Sequence, residues 1–557
     1  MKKTILILTI TTLLASCTRP TEGDGKAIFR YNESSGITTL DPAYAKNQAI
    51  IWAVSQLYNG LVRLDSNLQI EPCIAKSWSI SNDGLTYTFT LRDDVFFHEN
   101  ELFSKKRNHN TQDSLTSTRK VVASDFVYSF NRILDEKVAS PGLWIFSHIS
   151  KKEPFVAIDD TTFVVRLREP FAPMLSILAM PYCSVVPKEV VEEYGSDFRD
   201  HPCGTGPFYM KYWKEDVKLV LRRNDNYFER DEEGNPLPYL DAVAITFIID
   251  KQTAFLEFVK GNLDFMNSLD ASYKDEILTP KGELKEKYHE QIDMVSTPFL
   301  NTEYLGFNME SFMKDATNHQ SKKITEQQKK AIRQAINYGF DRCKMMQYMR
   351  NNIGVPGCKG MIPCGLPGYE NVSKYGYEYN PELSKELLAK VGFPNGKGLP
   401  TLTLSTTSNY VDLCKYIQQQ LTLIGFEVKI DVNPPAALRE HIAQGKSDWF
   451  RASWIADYPD AENYLALFYS KNHAPGGPNY TRFSSPKFDR LYERALVETD
   501  EERRVALYRE MDSIVITEAP VIVLYYDQIL HFTHKSVTGL RSNAMNALDL
   551  RFVKKKN

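Results

Sequence analysis

The sequence predicts an α/β protein of more than one lobe, and three observations carry that prediction. The chain has 557 residues, and single hydrophobic cores stop growing at about 250–300 residues. Its N-terminal half is rich in strand patterns. Its C-terminal half contains a strand–helix–strand unit, which requires a parallel pair covered by a helix.

The elements follow in order. Asn82-Asp-Gly84 is a turn signal, and Leu85–Leu91 after it alternates apolar and polar residues as a half-buried strand does. Phe163–Leu167 alternates less cleanly, and Val217–Leu221 and Ala242–Ile249 also read as strands. Thr325 to Gln328 fits a capping box, and the following helix places Ile332, Ala335, Ile336 and Phe340 on one face. Asn380-Pro381 starts a second helix with Leu383, Leu387, Leu388 and Val391 inward and Gly392 at its end. Thr401–Ser405 is a strand, a helix runs through Leu421 to a stop at Gly425, and Phe426–Ile430 is the partner strand. Val521–Tyr526 is apolar enough to be a buried strand, so the chain builds a second lobe and returns.

The first residues read as an export signal. Lys2 and Lys3 supply charge, and Ile5–Leu14 is an apolar core too short to span a bilayer. Leu14-Ala-Ser-Cys17 looks like a bacterial lipobox, in which the chain is cut before Cys17 and Cys17 carries lipid. Thr18–Gly25 is then a tether, and the remainder is expected to be a soluble body held at a membrane surface. Net charge is −3 with no basic stripe, which argues against nucleic acid. Aromatic residues make up 12% of the chain, suited to binding by stacking and apolar contact. Of the eight cysteines, Cys183 with Cys203 and Cys358 with Cys364 are plausible disulfide partners in an exported chain. The polar, basic stretch Ser104–Lys120, with Lys105, Lys106, Arg107, Arg119 and Lys120, reads as a solvated loop.

The run Arg451–Asp460 carries the chemistry. It sets a guanidinium and the Asp457 carboxylate six residues apart, with Trp454 between them and Tyr458 just after. A mostly apolar and aromatic setting predicts desolvation, and a desolvated charge needs a partner. A zwitterion with a free ammonium and a free carboxylate would satisfy both, and a short peptide is one. Internal salt bridges between strands would satisfy them equally well.

Motifs for catalysis or metal are not evident. His-Glu-x-x-His and Gly-x-Ser-x-Gly do not occur. Asp457, Asp460 and Glu462 lack the glycine and distal glutamate of a calcium loop, and the cysteine spacing does not make a zinc site. His531 and His534 are read as incidental. No cofactor is expected and no enzyme; an exported hydrolase on a two-lobed scaffold would need a nucleophile–base or metal constellation.

Seven motifs in order carry a resemblance. They are Leu40-Asp-Pro42; Leu57-Tyr-Asn-Gly-Leu61; the block Pro72–Trp78, Ser81–Phe89 and Leu91–Asp94; Gly204-Thr-Gly-Pro-Phe208; Asn224–Phe228; Leu305-Gly-Phe-Asn308; and Ile332–Asn337. The chain resembles the peptide- and nickel-type extracellular solute-binding proteins (family 5) of ABC importers. The resemblance implies an α/β two-lobed periplasmic-binding-protein fold of class II, cluster C type, with an extra N-terminal subdomain and a two-strand hinge. It assigns 1–16 to the signal peptide and 17–25 to the lipidated tether. Lobe I takes 26–64, 189–299 and the return 524–557; the subdomain takes 65–188 and lobe II 300–523. The crossovers fall near Pro298–Gly306 and Val521–Tyr526, and Ser104–Lys120 looks like an insertion.

The resemblance also implies the function and the site. Short peptides are enclosed between closing lobes and delivered to an ABC permease and ATPase complex by a monomeric, periplasmic lipoprotein. Asp457 falls where oligopeptide binders hold the α-ammonium, and Arg451 where an arginine is available to the C-terminal carboxylate. Ser453, Trp454 and Ile455 fall on the strand that bonds the peptide backbone, with Tyr458 beyond it; Ile455 stands where some members have a disulfide cysteine. Lys46, Asn47 and Gln48, with Ala45, fall on the opposite contact loop. A nickel chelate, haem, glutathione or a sugar on the same fold is the alternative ligand.

Overall fold

The computed structural model describes residues 26–105, 117–268, 273–317, 323–369 and 375–556. Cys17, the signal segment and most of the basic stretch lie outside them.

Two strands tie the molecule together. Ile292–Phe307 and Val521–His534 run antiparallel through the middle of one continuous sheet. On one side lie Phe265–Asn267, Ile28–Asn32, Ala242–Thr246, Lys218–Arg223 and Phe208–Lys214; on the other lie Trp449–Ile455, Leu402–Thr406 and Val428–Val432. Each side is the sheet of one lobe, and the long strands belong to both. Their register breaks between Pro298 and Thr302, opposite Gln528 and Tyr526. A proline cannot donate to the ladder, and broken pairing lets the sheet change direction. The second crossover is therefore centred just beyond Val521–Tyr526, because that strand continues to His534.

Sequence signals and observed elements agree closely in the second lobe. Thr325 and Gln328 form both hydrogen bonds of a capping box ahead of the helix Glu326–Tyr338. Asn380 caps the helix Pro381–Lys390 through the Leu383 amide. Leu402–Thr406 and Val428–Val432 pair parallel across the helix Val411–Thr422, completing the expected unit.

The N-terminal subdomain is a separate four-stranded antiparallel sheet of Ala75–Ile80, Thr86–Leu91, Thr162–Arg166 and Phe155–Ala157. Phe126 and Phe130 of the helix Ala123–Leu134 pack on Phe163 of this sheet. Arg119 departs from the solvated-loop reading. It pairs with Asp125 at 2.8 Å and Glu189 at 2.5 Å and covers the Phe97 ring, so the end of the basic stretch is anchored.

The chain's return closes the first lobe. Val537, Leu548, Leu550 and Val553 join the same core as Phe29, Trp52 and Phe208. The Trp52 indole donates to the Asn546 carbonyl at 2.7 Å, and Lys555 pairs with Asp264 at 2.9 Å. Gly204 and Gly206 pass tightly under the end of the helix Gln48–Leu57. A β-carbon on Gly204 would lie 2.0 Å from the Leu57 carbonyl oxygen, so this crossing admits only glycine.

The expected disulfides are not formed: all four cysteines are free thiols. Cys183 and Cys203 are both buried but face different backbones, donating to the carbonyls of Ile177 and His98 respectively. Burial pushes both thiols well above the usual range, which keeps them protonated. Cys358 follows Gly357 along the strand Val521–His534, whereas Cys364 packs against the second-lobe core. Among the described residues no helix is long and apolar enough to cross a membrane.

Candidate functional site

A cavity of about 250 Å³ is lined by residues from both parts of the chain. Ala45, Gln48, Trp52, Val62 and Met180 come from the N-terminal half, Asp457, Tyr458 and Pro459 from the second lobe, and Met545 and Leu548 from the return. The two lobes also touch outside it. Tyr458 stacks on Trp144 of the subdomain region with ring centres 6.3 Å apart, and the Ala172 amide donates to the Leu496 carbonyl at 3.0 Å.

Asp457 is held by its own neighbourhood. The strand Trp449–Ile455 ends just before it, and the Glu462–Leu465 helix follows. Buried Asn463 links the two. Its side-chain oxygen accepts from the Asp457 amide at 3.2 Å and the Trp454 indole at 2.8 Å, while its NH2 approaches the Asp457 carboxylate at 3.5 Å. Among the described residues no cation lies within ion-pair distance of Asp457. The sequence predicted a desolvated carboxylate; the residue is instead exposed while lining the cavity. The protein packed around it still raises its pKa by desolvation, against the Asn463 hydrogen bond.

The strand leading to Asp457 has an open edge. Asn301–Phe307 pairs with Ile455–Trp449 along one side. On the other side Leu402–Thr406 pairs only at Trp449 and Phe450. From Arg451 onward that edge has no partner strand among the described residues. Ser453 and Trp454 are half-buried there, and Ile455 is exposed.

Arg451 does not reach the Asp457 cavity. It pairs with Glu303 on the neighbouring strand and lies flat over Tyr410, 3.3 Å from the ring centre. Its guanidinium is thus engaged internally through one NH2 group, while its buried Nε has no hydrogen-bond partner among the described residues. The same cluster holds Asn301, which donates to Glu303 and Asp527 at 3.3 Å each, and Arg350, which pairs with Asp527 at 2.6 Å. These partners come from strands, a helix end (Arg350) and a turn (Tyr410) far apart in sequence, so nothing local announces them.

The opposite loop divides its roles. Gln48 lines the cavity and donates to the Asn546 carbonyl at 3.1 Å. Asn47 caps its helix through the Ile50 amide at 3.1 Å, so its side chain serves the fold. Lys46 is exposed and is not part of the cavity wall. His531 and His534 are bonded separately, to Asn546 and to the Phe258 carbonyl.

Behind Tyr458 sits Glu462, which sequence reasoning assigned no role at the site. It is 4% exposed and accepts hydrogen bonds from the hydroxyls of Tyr458 and Tyr492. Burial pushes its pKa up to about 7, with the two hydroxyls acting the other way. A raised carboxyl pKa favours the protonated folded state. Its contribution is fully present below pH 4.5, its ordinary value, and is lost as pH rises through about 7. Asp512, buried and accepting the Met361 amide, is also pushed up to about 7 and adds a slope of the same sign. Glu462→Gln should therefore flatten, without abolishing, the fall in thermal midpoint between about pH 5 and 8, by the equivalent of roughly 2–3 kcal/mol. Scanning calorimetry across that range checks it; equal slopes for both proteins would mean Glu462 is ionised throughout.

Comparison with known proteins agrees with this architecture. The profile of bacterial extracellular solute-binding proteins, family 5 (middle), matches residues 69–476. The glutathione-binding protein GsiB of Salmonella typhimurium (strain LT2) is 26% identical over 512 residues, covering 91% of this chain and 90% of that protein. The periplasmic binding protein DppA from Helicobacter pylori, solved with the peptide STSA, is 26% identical with a TM-score of 0.71, covering 96% of this chain and 98% of DppA. HbpA2 from Haemophilus parasuis shares the fold with a TM-score of 0.79 at 23% identity, covering 95% of this chain and all of that one. With its two lobes, its paired crossover strands and a family match across most of its length, the chain belongs to the bacterial extracellular solute-binding proteins of family 5.

Proposed function

We propose that this protein binds short peptides between its lobes and presents them to an ABC permease, without catalysing their turnover. One observation carries the reading most. Asp457 is a carboxylate at the cavity with no cation partner among the described residues, at the end of a strand whose edge is open from Arg451. A peptide ammonium would complete the charge. The rest of the ligand would extend along the free edge, so that main-chain hydrogen bonds supply affinity with little dependence on sequence. The relative solved with a bound peptide supports the same ligand class.

Lobe closure about the Pro298–Thr302 break would present the loaded form. The ligand shifts that equilibrium only by its preference for the closed state. Lipid on Cys17 would hold a monomeric body at the envelope membrane, a reading supported by Leu14-Ala-Ser-Cys17 alone.

The test is to purify the mature body natively and release its ligand into a mass spectrometer. Short peptides of mixed sequence support the proposal. Glutathione alone, the ligand named for the GsiB relatives, would narrow it to that one tripeptide. A single non-peptide species would overturn it.

A further inference from the structure

The wall of the cavity says more about the ligand than its mouth does. We infer that the cavity beside Asp457 is a socket for the side chain of the ligand's first residue and selects a large apolar one. This deepens the peptide reading and rests on it.

Ile51, Trp52, Val62, Leu64, Met180 and Leu548 supply apolar surface to the same space that Asp457 borders. An ammonium held at Asp457 places the first α-carbon at that space, so the first side chain is the group that fills it. A volume of about 250 Å³ exceeds the roughly 150 Å³ apolar cavity that accommodates benzene, so a leucine, methionine or phenylalanine side chain has room.

Apart from Asp457, the charged residues of the wall are already paired. Arg63 pairs with Glu71 at 2.5 Å and also with Glu229, and Arg551 pairs with Glu229 at 2.5 Å and with Asp549 at 2.8 Å. Two guanidiniums are thus shared among three carboxylates, each already in an ion pair. An acidic first residue would meet no spare cation from this group, and a basic one would compete with the ligand's own ammonium for Asp457. The wall's neutral polar groups, Gln48, Gln56 and Asn59 among them, cannot neutralise a charge, so entering without an ion partner is costly for either, whereas an apolar side chain gains by leaving water.

The test uses the ligand-stripped mature protein and a series of tripeptides ending in Ala-Ala, with Gly, Asp, Lys, Leu or Phe first, titrated by calorimetry. Leu and Phe should bind about 10- to 100-fold more tightly than Gly, and Asp and Lys no better than Gly. In Ala179→Phe, which adds a ring at the cavity wall, the advantage of Leu over Gly should vanish. Should that variant fail to fold, the wild-type series decides alone. Binding of the whole series with equal affinity overturns the socket and leaves peptide binding standing. Failure of every member to bind overturns the peptide reading, and the socket with it.

Discussion

Asp457→Asn should weaken peptide binding by roughly 2–5 kcal/mol, the cost of truncating one partner of a charge pair that the bound ligand and closed lobes desolvate. In the unliganded protein the carboxylate borders a cavity without a cation beside it and desolvation raises its pKa, so the variant should fold with a thermal midpoint no lower than the wild type's. The effect appears only when an ammonium arrives. Blocking the ammonium by N-acetylation should cost the wild-type protein a similar amount and should cost Asp457→Asn little more, because the interaction is already gone. Calorimetry on the four combinations measures the coupling directly. Additive losses would remove Asp457 from the ammonium site. The raised pKa of Asp457 adds a pH signature. Only the ionised carboxylate attracts the ammonium, so affinity should fall as pH drops through that raised value, and the asparagine variant should lack the fall.

Arg451→Met should destabilise the fold by roughly 3–5 kcal/mol, because it strands a buried charge. The Glu303 side chain is only 3% exposed. Burial raises its pKa; Arg451 and the Asn301 amide work the other way. With Arg451 gone, the proton would be held more tightly still. A raised pKa means stability that is present at low pH and lost as pH rises, so the variant should be worse at about pH 8 than at about pH 5. Replacing both partners, Arg451→Met with Glu303→Met, should restore most of the loss, since an apolar pair of similar volume removes the desolvation penalty altogether. Thermal unfolding of the three variants checks this. The double variant also settles what Arg451 does for the ligand. If it binds free-acid and amidated peptides as the wild type does, the guanidinium is a structural member of the strand pair. If it loses only the free acids, Arg451 leaves Glu303 for the ligand's carboxylate on binding.

The fold was readable wherever the signal was local. Thr325 with Gln328, Asn380 before Pro381, and the alternation after Asn82-Asp-Gly84 all became the expected elements within a few residues. The strand at Val521 was seen only in its apolar half. Its continuation mixes Gln528, His531 and His534 with Ile529, Leu530 and Phe532, and it is buried in part by pairing with Ile292–Pro298 and Phe265–Asn267. Ser104–Lys120 looked solvated because its basic residues were judged by sequence neighbours; Arg119 finds its carboxylates at Asp125 and Glu189.

The site divided in the same way. For Asp457 the sequence left two partners open, a ligand's ammonium or an internal cation, and among the described residues no internal cation lies beside it. An internal salt bridge for Arg451 was one of the two readings the sequence left open, but its partner did not follow, since Glu303 lies 148 positions away and only the pairing of Glu303 with Ser453 brings the two strands side by side. Asn463 could have been found six residues past Asp457, yet asparagine after an aspartate reads equally well as a turn.

By itself, the sequence determined the family and the two-lobed α/β plan, because these rest on patterns spanning a few tens of residues. Tertiary structure alone decided that Arg451 pairs with Glu303 while Asp457 has no cation beside it among the described residues. It also decided that the four candidate cysteines stay apart and that an apolar cavity opens beside Asp457. Charge pairing, thiol approach and cavity shape depend on distances in space that separation along the chain does not set, whether the residues are as near as Cys358 and Cys364 or 148 positions apart as Arg451 and Glu303 are, and only packing sets those distances.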